Sequence, residues 1–175
     1  SNYLHKPCYD LWENHWGQFT STQATLIAAL KVALNLHAIN QVVLKIDTPT
    51  LEKLIMNLEN ALDKLLTSEG RYIRGIIPAN GDAEKAEAES AIPLIENISA
   101  DIHWLWQLGV KTHMDKTVVS SIDSMQSILR RTSGFQRYPY DFYLRISTDS
   151  AGANGPTDAA GSIGQVGQIG NVWNL

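Results

Sequence analysis

The hydrophobic positions of this chain fall mostly at three- and four-residue steps, the spacing of a helix face. The cleanest stripe runs through 50–67, where Leu51, Leu54, Ile55, Leu58, Leu62 and Leu65 alternate with Glu52, Lys53, Glu59, Asp63 and Lys64. "DTPT" at 47–50 starts it: Asp47 or Thr48 offers a cap and Pro49 suits a first turn. A second helix is expected over 22–45, apolar on most sides through Leu26, Ile27, Leu30, Ala33, Leu34, Leu36, Val42 and Val43. A helix apolar nearly all round belongs inside a bundle or an assembly.

Three further helices are expected. Over 7–19 the aromatics Tyr9, Trp12, Trp16 and Phe19 keep helical spacing. "DAEKAEAESA" opens another, kinked near Pro93 and continued by Ile95, Ile98, Ile102 and Leu105 to a turn at Gly109. The last spans 116–131, with Val118, Val119, Ile122, Met125, Ile128 and Leu129 inward. Between the 50–67 stripe and the "DAEKAEAESA" helix, 68–84 reads as a long glycine-containing loop, a length uncommon in compact domains unless the loop does something. The fold expected is therefore all-α, a four- to five-helix antiparallel bundle over 1–145. Residues 146–175 follow as a Gly-rich extended tail, with glycines at 161, 164, 167 and 170 and Trp173 as an anchor.

Composition narrows the chemistry more than it identifies it. A net charge of −4 excludes a protein coated in positive charge, so any nucleic-acid contact must be local. The single cysteine, Cys8, excludes an intrachain disulfide. The longest apolar run, "ATLIAALKVAL", is broken by Lys31 and is too short for a bilayer, so no membrane partner is expected. The first residues lack a signal-peptide pattern. His37, His103 and His113 occur without a Glu-x-x-His or His-x-x-x-His pair, which argues against a bundle metal site. There is no G-x-S-x-G elbow, Walker loop or dinucleotide fingerprint. The reading is of a protein that is not an enzyme and needs no cofactor.

The charged residues give three candidate groups. Arg71 and Arg74 flank Tyr72 in the 68–84 loop, where forked guanidinium groups could close on a phosphate chain. Asp82, Glu84 and Glu87 are either a solvated helix start or carboxylates meeting those of a neighbouring copy. "LRRTSGFQRYPYDFYLR" (129–145) holds four of the six arginines. It reads as a basic helix end followed by an aromatic packing seam of Phe135, Tyr138, Tyr140 and Phe142.

The order of these pieces carries a resemblance. "GQFTSTQATLI" (17–27), "GRYIRGIIPANGDAEKAEAES" (70–90), "LRRTSGFQR" (129–137) and "GNVW" (170–173) resemble, in sequence order, segments of the coat proteins of rod-shaped plant viruses of the tobacco mosaic type. The resemblance implies a four-helix subunit stacked with copies of itself into a disc or helical rod around single-stranded RNA. It places the protein in virions and the host cytoplasm. It sets Arg71 and Arg74 on RNA phosphates and Asp82, Glu84 and Glu87 at repelling carboxylate contacts between subunits. The rival reading is a helical interaction or sensor domain without catalytic activity, in the bacterial periplasm or outside the cell.

Overall fold

A computed structural model describes residues 3–13, 15–78, 91–93, 98–131 and 134–139. Asp82, Glu84, Glu87, Tyr140, Phe142 and the 146–175 tail lie outside the described residues. Among the described residues there are four helices: α1 (Thr20–Ala38), α2 (Thr48–Ala61), the single turn α3 (Trp104–Gln107) and α4 (Lys116–Leu129). There are also six short strands: β1 (Cys8–Tyr9), β2 (Trp16–Phe19), β3 (Gly75–Pro78), β4 (Ala91–Pro93), β5 (Arg130–Arg131) and β6 (Gly134–Phe135). The first four form one antiparallel sheet in the order β1-β2-β3-β4, and the last two a separate ribbon. The architecture is mixed α/β, and the expected all-α bundle is corrected accordingly.

The correction has local causes. Residues 7–19 keep helical spacing among their aromatics but contain Pro7, Asp10, Asn14 and Gly17, all poor in helix interiors. The chain turns instead between β1 and β2, with Glu13 at φ 57° and its N–H donating to Asp10 O. At 75–78, "GIIP" is a short apolar run bounded by glycine and proline, a pattern that also fits a buried strand. β2 and β3 pair Gln18 with Ile76 and Phe19 with Gly75. Their backbones come so close that a Cβ on Gly75 would meet Gln18 O at 2.5 Å, and one on Gly17 would meet Ile76 O at 2.5 Å. Glycine at both positions is thus a steric requirement of the pairing.

The helices are nearer to expectation. Asp47 caps α2 by accepting from Thr50 N–H at 2.9 Å, and that bond holds its carboxyl below the usual range. Leu51, Ile55, Leu58 and Ala61 are buried, and the stripe continues as a 3₁₀ turn with Leu62 and Leu65 inside. α1 starts at Thr20 rather than at a hydroxyl cap: Thr20 Oγ1 donates to Ile73 O at 2.6 Å, and its N–H to Arg74 O at 3.0 Å. It stops short of residue 45 because Asn40 takes φ 58°, with Asn40 N–H bonded to His37 O and Gln41 N–H to Leu36 O. This is the Schellman pattern with asparagine in the left-handed position. Gly109, at φ 68°, closes α3 in the same way through Trp106 O and Leu105 O. Ile98, Ile102 and Leu105 are buried as one stripe, although a 3₁₀ turn (Ala100–His103) and a single helical turn replace the long helix expected.

The N-terminal segment is sewn to the helices by polar contacts. His5 N–H donates to Gln23 Oε1 at 2.9 Å, and Gln23 Nε2 donates to Tyr3 O and Leu58 O, both at 3.0 Å. Phe19 N–H donates to His5 Nε2 at 2.6 Å, so the ring proton sits on Nδ1 and donates to Lys6 O at 2.6 Å. The ring is thus neutral, and burial pushes the His5 pKa below its ordinary 6.5.

Two predictions follow from this packing. Gly75→Ala should cost about 3 kcal/mol, the upper end for a residue forced into a filled space. Gly70→Ala should cost about 1 kcal/mol, since it is strained only by its left-handed φ and has open space around it. Denaturant titration of the two variants checks the order, and equal losses would contradict the close approach. For His5, the folded state resists a proton that the unfolded chain accepts below pH about 6.5. Its contribution is therefore complete above that pH and shrinks as pH falls below it. Unfolding midpoints between about pH 7.5 and 5 should fall on acidification, and fall less in His5→Gln. Parallel pH profiles would exclude His5 as the cause.

Candidate functional site: a buried charge cluster and an exposed apolar face

Residues 71–74, expected in a mobile loop, are largely built into the core. Ile73 N–H donates to Leu65 O at 2.9 Å, and Tyr72 N–H donates to Ser121 Oγ at 2.8 Å. Tyr72 is buried, which pushes its phenol up to about 12. The next side chain but one, Arg74, has 0% exposure and is the largest fully buried side chain described.

Arg74 lies at the centre of a charged cluster drawn from five segments. Its Nη2 donates to Asp10 Oδ2 in the β1–β2 turn, with both side chains fully buried. The Tyr138 ring lies 4.5 Å from the guanidinium carbon. Arg137, itself buried, stands 5.3 Å from the Tyr138 ring and 5.4 Å from the Trp12 ring. The four side chains form a cation–π ladder, Arg74–Tyr138–Arg137–Trp12. Trp12 Nε1 donates to Ser99 Oγ at 3.2 Å, and Ser99 Oγ to Arg137 O at 3.2 Å. Asp101 completes the group at 1% exposure, its Oδ2 accepting from Ser21 Oγ at 2.6 Å at the start of α1. Burial raises the Asp101 pKa, opposed by the serine hydrogen bonds and the Arg74 charge.

The two arginines expected on phosphate therefore part company. Arg71 is half-buried, whereas Arg74 has no exposed area and is committed to Asp10. Arg74 is thus relocated from a loop surface to the interior. Its guanidinium neutralises a carboxylate that would otherwise be buried alone, and a buried charge needs such a partner. Nε and Nη1 of Arg74 and Oδ1 of Asp101 have no hydrogen-bond partner among the described residues. In the expected aromatic seam, Phe135 packs against the core and Tyr138 stacks on the arginines. Asp10 and Asp101 were not singled out from sequence. Asp101 carried a signal: it falls inside the Ile98–Ile102–Leu105 stripe, where an acid must find a buried partner.

The outer surface offers a different feature. α1 is buried at Thr20, Ser21, Gln23, Ala24 and Ile27, but its far side is open. Leu26, Ala29, Val32, Leu36 and Ile39 are exposed, with Val32 at 55% and Ile39 at 63%. Past the helix end Val42, Val43 and Ile46 are also exposed, Val43 at 93%, with the exposed Lys45 among them. The exposed positions from Thr25 to Val43 carry no charged side chain. Lys31 is turned to the flank, where it pairs with Glu59 of α2 at 2.6 Å. α4 presents a second surface, an open groove of about 560 Å³ lined by Met114, Lys116, Val119, Ser120, Asp123, Ser124, Ser127 and Ile128.

Among the described residues no group of three or more His, Cys, Asp or Glu is placed to hold a metal ion. No described helix is long and apolar enough to cross a membrane. Cys8 is half-buried, its Sγ 3.9 Å from His5 Nδ1 and from Thr22 Oγ1.

The cluster predicts a non-additive mutational pattern. Arg74→Met should cost about 3–5 kcal/mol by stranding Asp10, and the double variant Asp10→Asn/Arg74→Met should recover much of that loss. Urea unfolding of the single and double variants checks this, and simple additivity would argue against the pairing.

Searches of protein-family models and of curated proteins return no match for this chain.

Proposed function

We propose that the chain is a non-catalytic, self-assembling structural subunit whose copies meet through the exposed face of α1. One observation carries this reading: the exposed apolar positions of α1 from Leu26 to Ile39, among which no exposed residue is charged. Monomeric proteins rarely leave more than a few hundred Å² of contiguous apolar surface in water. A stripe this long, flanked by an internal ion pair instead of crossed by charges, is suited to burial against another protein surface. A second copy is the partner that is always present at matching concentration.

The sequence resemblance to rod-shaped virus coats supports a more specific form of the reading, a coat subunit around single-stranded RNA. In that form Arg71 remains a candidate phosphate contact, and Arg74 serves the interior. A net-acidic chain can hold RNA if a few cations converge on one assembled surface, because each phosphate neutralised releases counterions.

Sedimentation over about 1–100 µM protein tests the assembly, with the average mass expected to rise with concentration. Val32→Glu should abolish that rise while leaving the circular dichroism unchanged. A strictly monomeric wild type would overturn the proposal. For RNA, Arg71→Ala should weaken binding and lower the salt slope by about one. An unchanged slope would remove Arg71 from the interface.

A further inference from the structure

We infer that residues 3–7 form an acid-released latch: neutral His5 holds the segment closed over the start of α1, and protonation of its ring opens it. The latch is independent of self-assembly, because every contact it uses lies within one chain.

Residues 3–7 belong to no helix or strand, and three of the bonds that tie them to the body run through His5. Its N–H donates to Gln23 Oε1 at 2.9 Å, its carbonyl accepts from Gln18 Nε2 at 2.7 Å, and its ring Nε2 accepts from Phe19 N–H at 2.6 Å. Phe19 is the residue that caps α1, so the ring lies where a helix start already disfavours positive charge. Nδ1 is committed too, to Lys6 O at 2.6 Å. An imidazolium carries N–H donors on both nitrogens and no acceptor. Turned either way, it sets a donor against the Phe19 N–H. Among the described residues no carboxylate is hydrogen-bonded to the ring. The facing residues of β2 and α1, Gln18, Phe19 and Gln23, are uncharged, and the Cys8 thiol lies 3.9 Å from Nδ1. Asp10 is committed to Arg74, and Glu59 of α2 is paired with Lys31. The exposed Lys6 adds charge of the wrong sign. Burial acts in the same direction, pushing His5 below its ordinary 6.5.

The opening is local because the chain is anchored just beyond it. β1 pairs Cys8 with Gly17 and Tyr9 with Trp16, and the turn that follows is fixed by the Asp10–Arg74 pair and the Trp12–Ser99 bond. None of these side-chain contacts involves a histidine ring. Segments held by few contacts open at a lower free energy than the whole fold. On release Leu4, 9% exposed in the closed form, leaves the core, and the cost of uncovering it keeps the latch shut at neutral pH. A proton accepted only by the open form raises the open fraction about tenfold for each pH unit below about 6.5. The latch therefore responds over the range in which a histidine near its ordinary pKa changes charge.

Amide hydrogen exchange of the wild-type chain, corrected for the intrinsic pH dependence of exchange, tests this. Phe19 N–H, whose acceptor is the His5 ring, should lose protection about tenfold per pH unit between about pH 6 and 4.5. At each pH it should be less protected than Ile55 N–H within α2, by about tenfold or more, because it exchanges through the latch and not through unfolding. The His5 ring, followed by NMR through its carbon-bound protons, should titrate together with that loss. His5→Gln keeps a donor and an acceptor but takes up no proton, and should flatten the Phe19 profile. Four results would overturn the inference. Phe19 protection could be constant with pH, or equal to that of Ile55, which would make the opening an unfolding of the whole. The His5 ring could titrate while Phe19 stays protected, or a folded His5→Gln could keep the wild-type profile. The first three are read on the wild type alone, so a His5→Gln chain that fails to fold leaves the test intact.

Discussion

A guanidinium with no exposed area is the constraint around which the interior is arranged. Arg74 cannot lose its charge, so the fold must bring it a carboxylate, and Asp10 arrives from the far side of the β1–β2 turn. Meeting that need holds the β1–β2 turn against residue 74. The hairpin in turn carries Trp12 beneath Arg137, and the same stack holds Tyr138 against Arg74. Ser21 and Asp101 close the other side, joining the first turn of α1 to the 3₁₀ turn ahead of α3. The charge pair joins the β1–β2 turn to residue 74, and the Trp12–Ser99, Ala100–Arg137 and Ser21–Asp101 hydrogen bonds tie in the other segments.

What could be read from the sequence was what depends on neighbouring residues. The α2 stripe, its Asp47 cap and the inward placement of Val118, Met125 and Leu129 on α4 are set by side chains within a turn or two of one another, whereas Val119 and Ile128, also expected inward, are exposed. The apolar excess of α1 was likewise visible, and it survives as the exposed stripe. The strands were not visible. Each is two to four residues long, below the length at which alternation differs from a helical step. The aromatic spacing of 7–19 favoured the wrong period. Arg74 was misplaced for a related reason. Basic residues near glycine resemble a phosphate loop, and only the three-dimensional return of Asp10 shows that the charge is already answered.

The molecule thus divides its polar and apolar chemistry in an unusual way. Charge and aromatic stacking are drawn inside, at the junction of sheet, hairpin and the 134–139 segment. Part of the outer face of α1 is left aliphatic. The rest of the core is apolar, with Ile27, Leu62, Leu65, Ile98, Ile102 and Leu129 fully buried.

The ladder also has a temporal consequence. Asp10 and Arg74 are 64 residues apart in the chain, and Tyr138 lies as far again beyond Arg74, next to Arg137. Contacts so distant in sequence form slowly, because the loops between them must close first. During synthesis Arg74 emerges with its carboxylate already made and its aromatic cover still to come. Until residue 138 has left the ribosome, that guanidinium has to stay in water, and the core around it cannot fully dry.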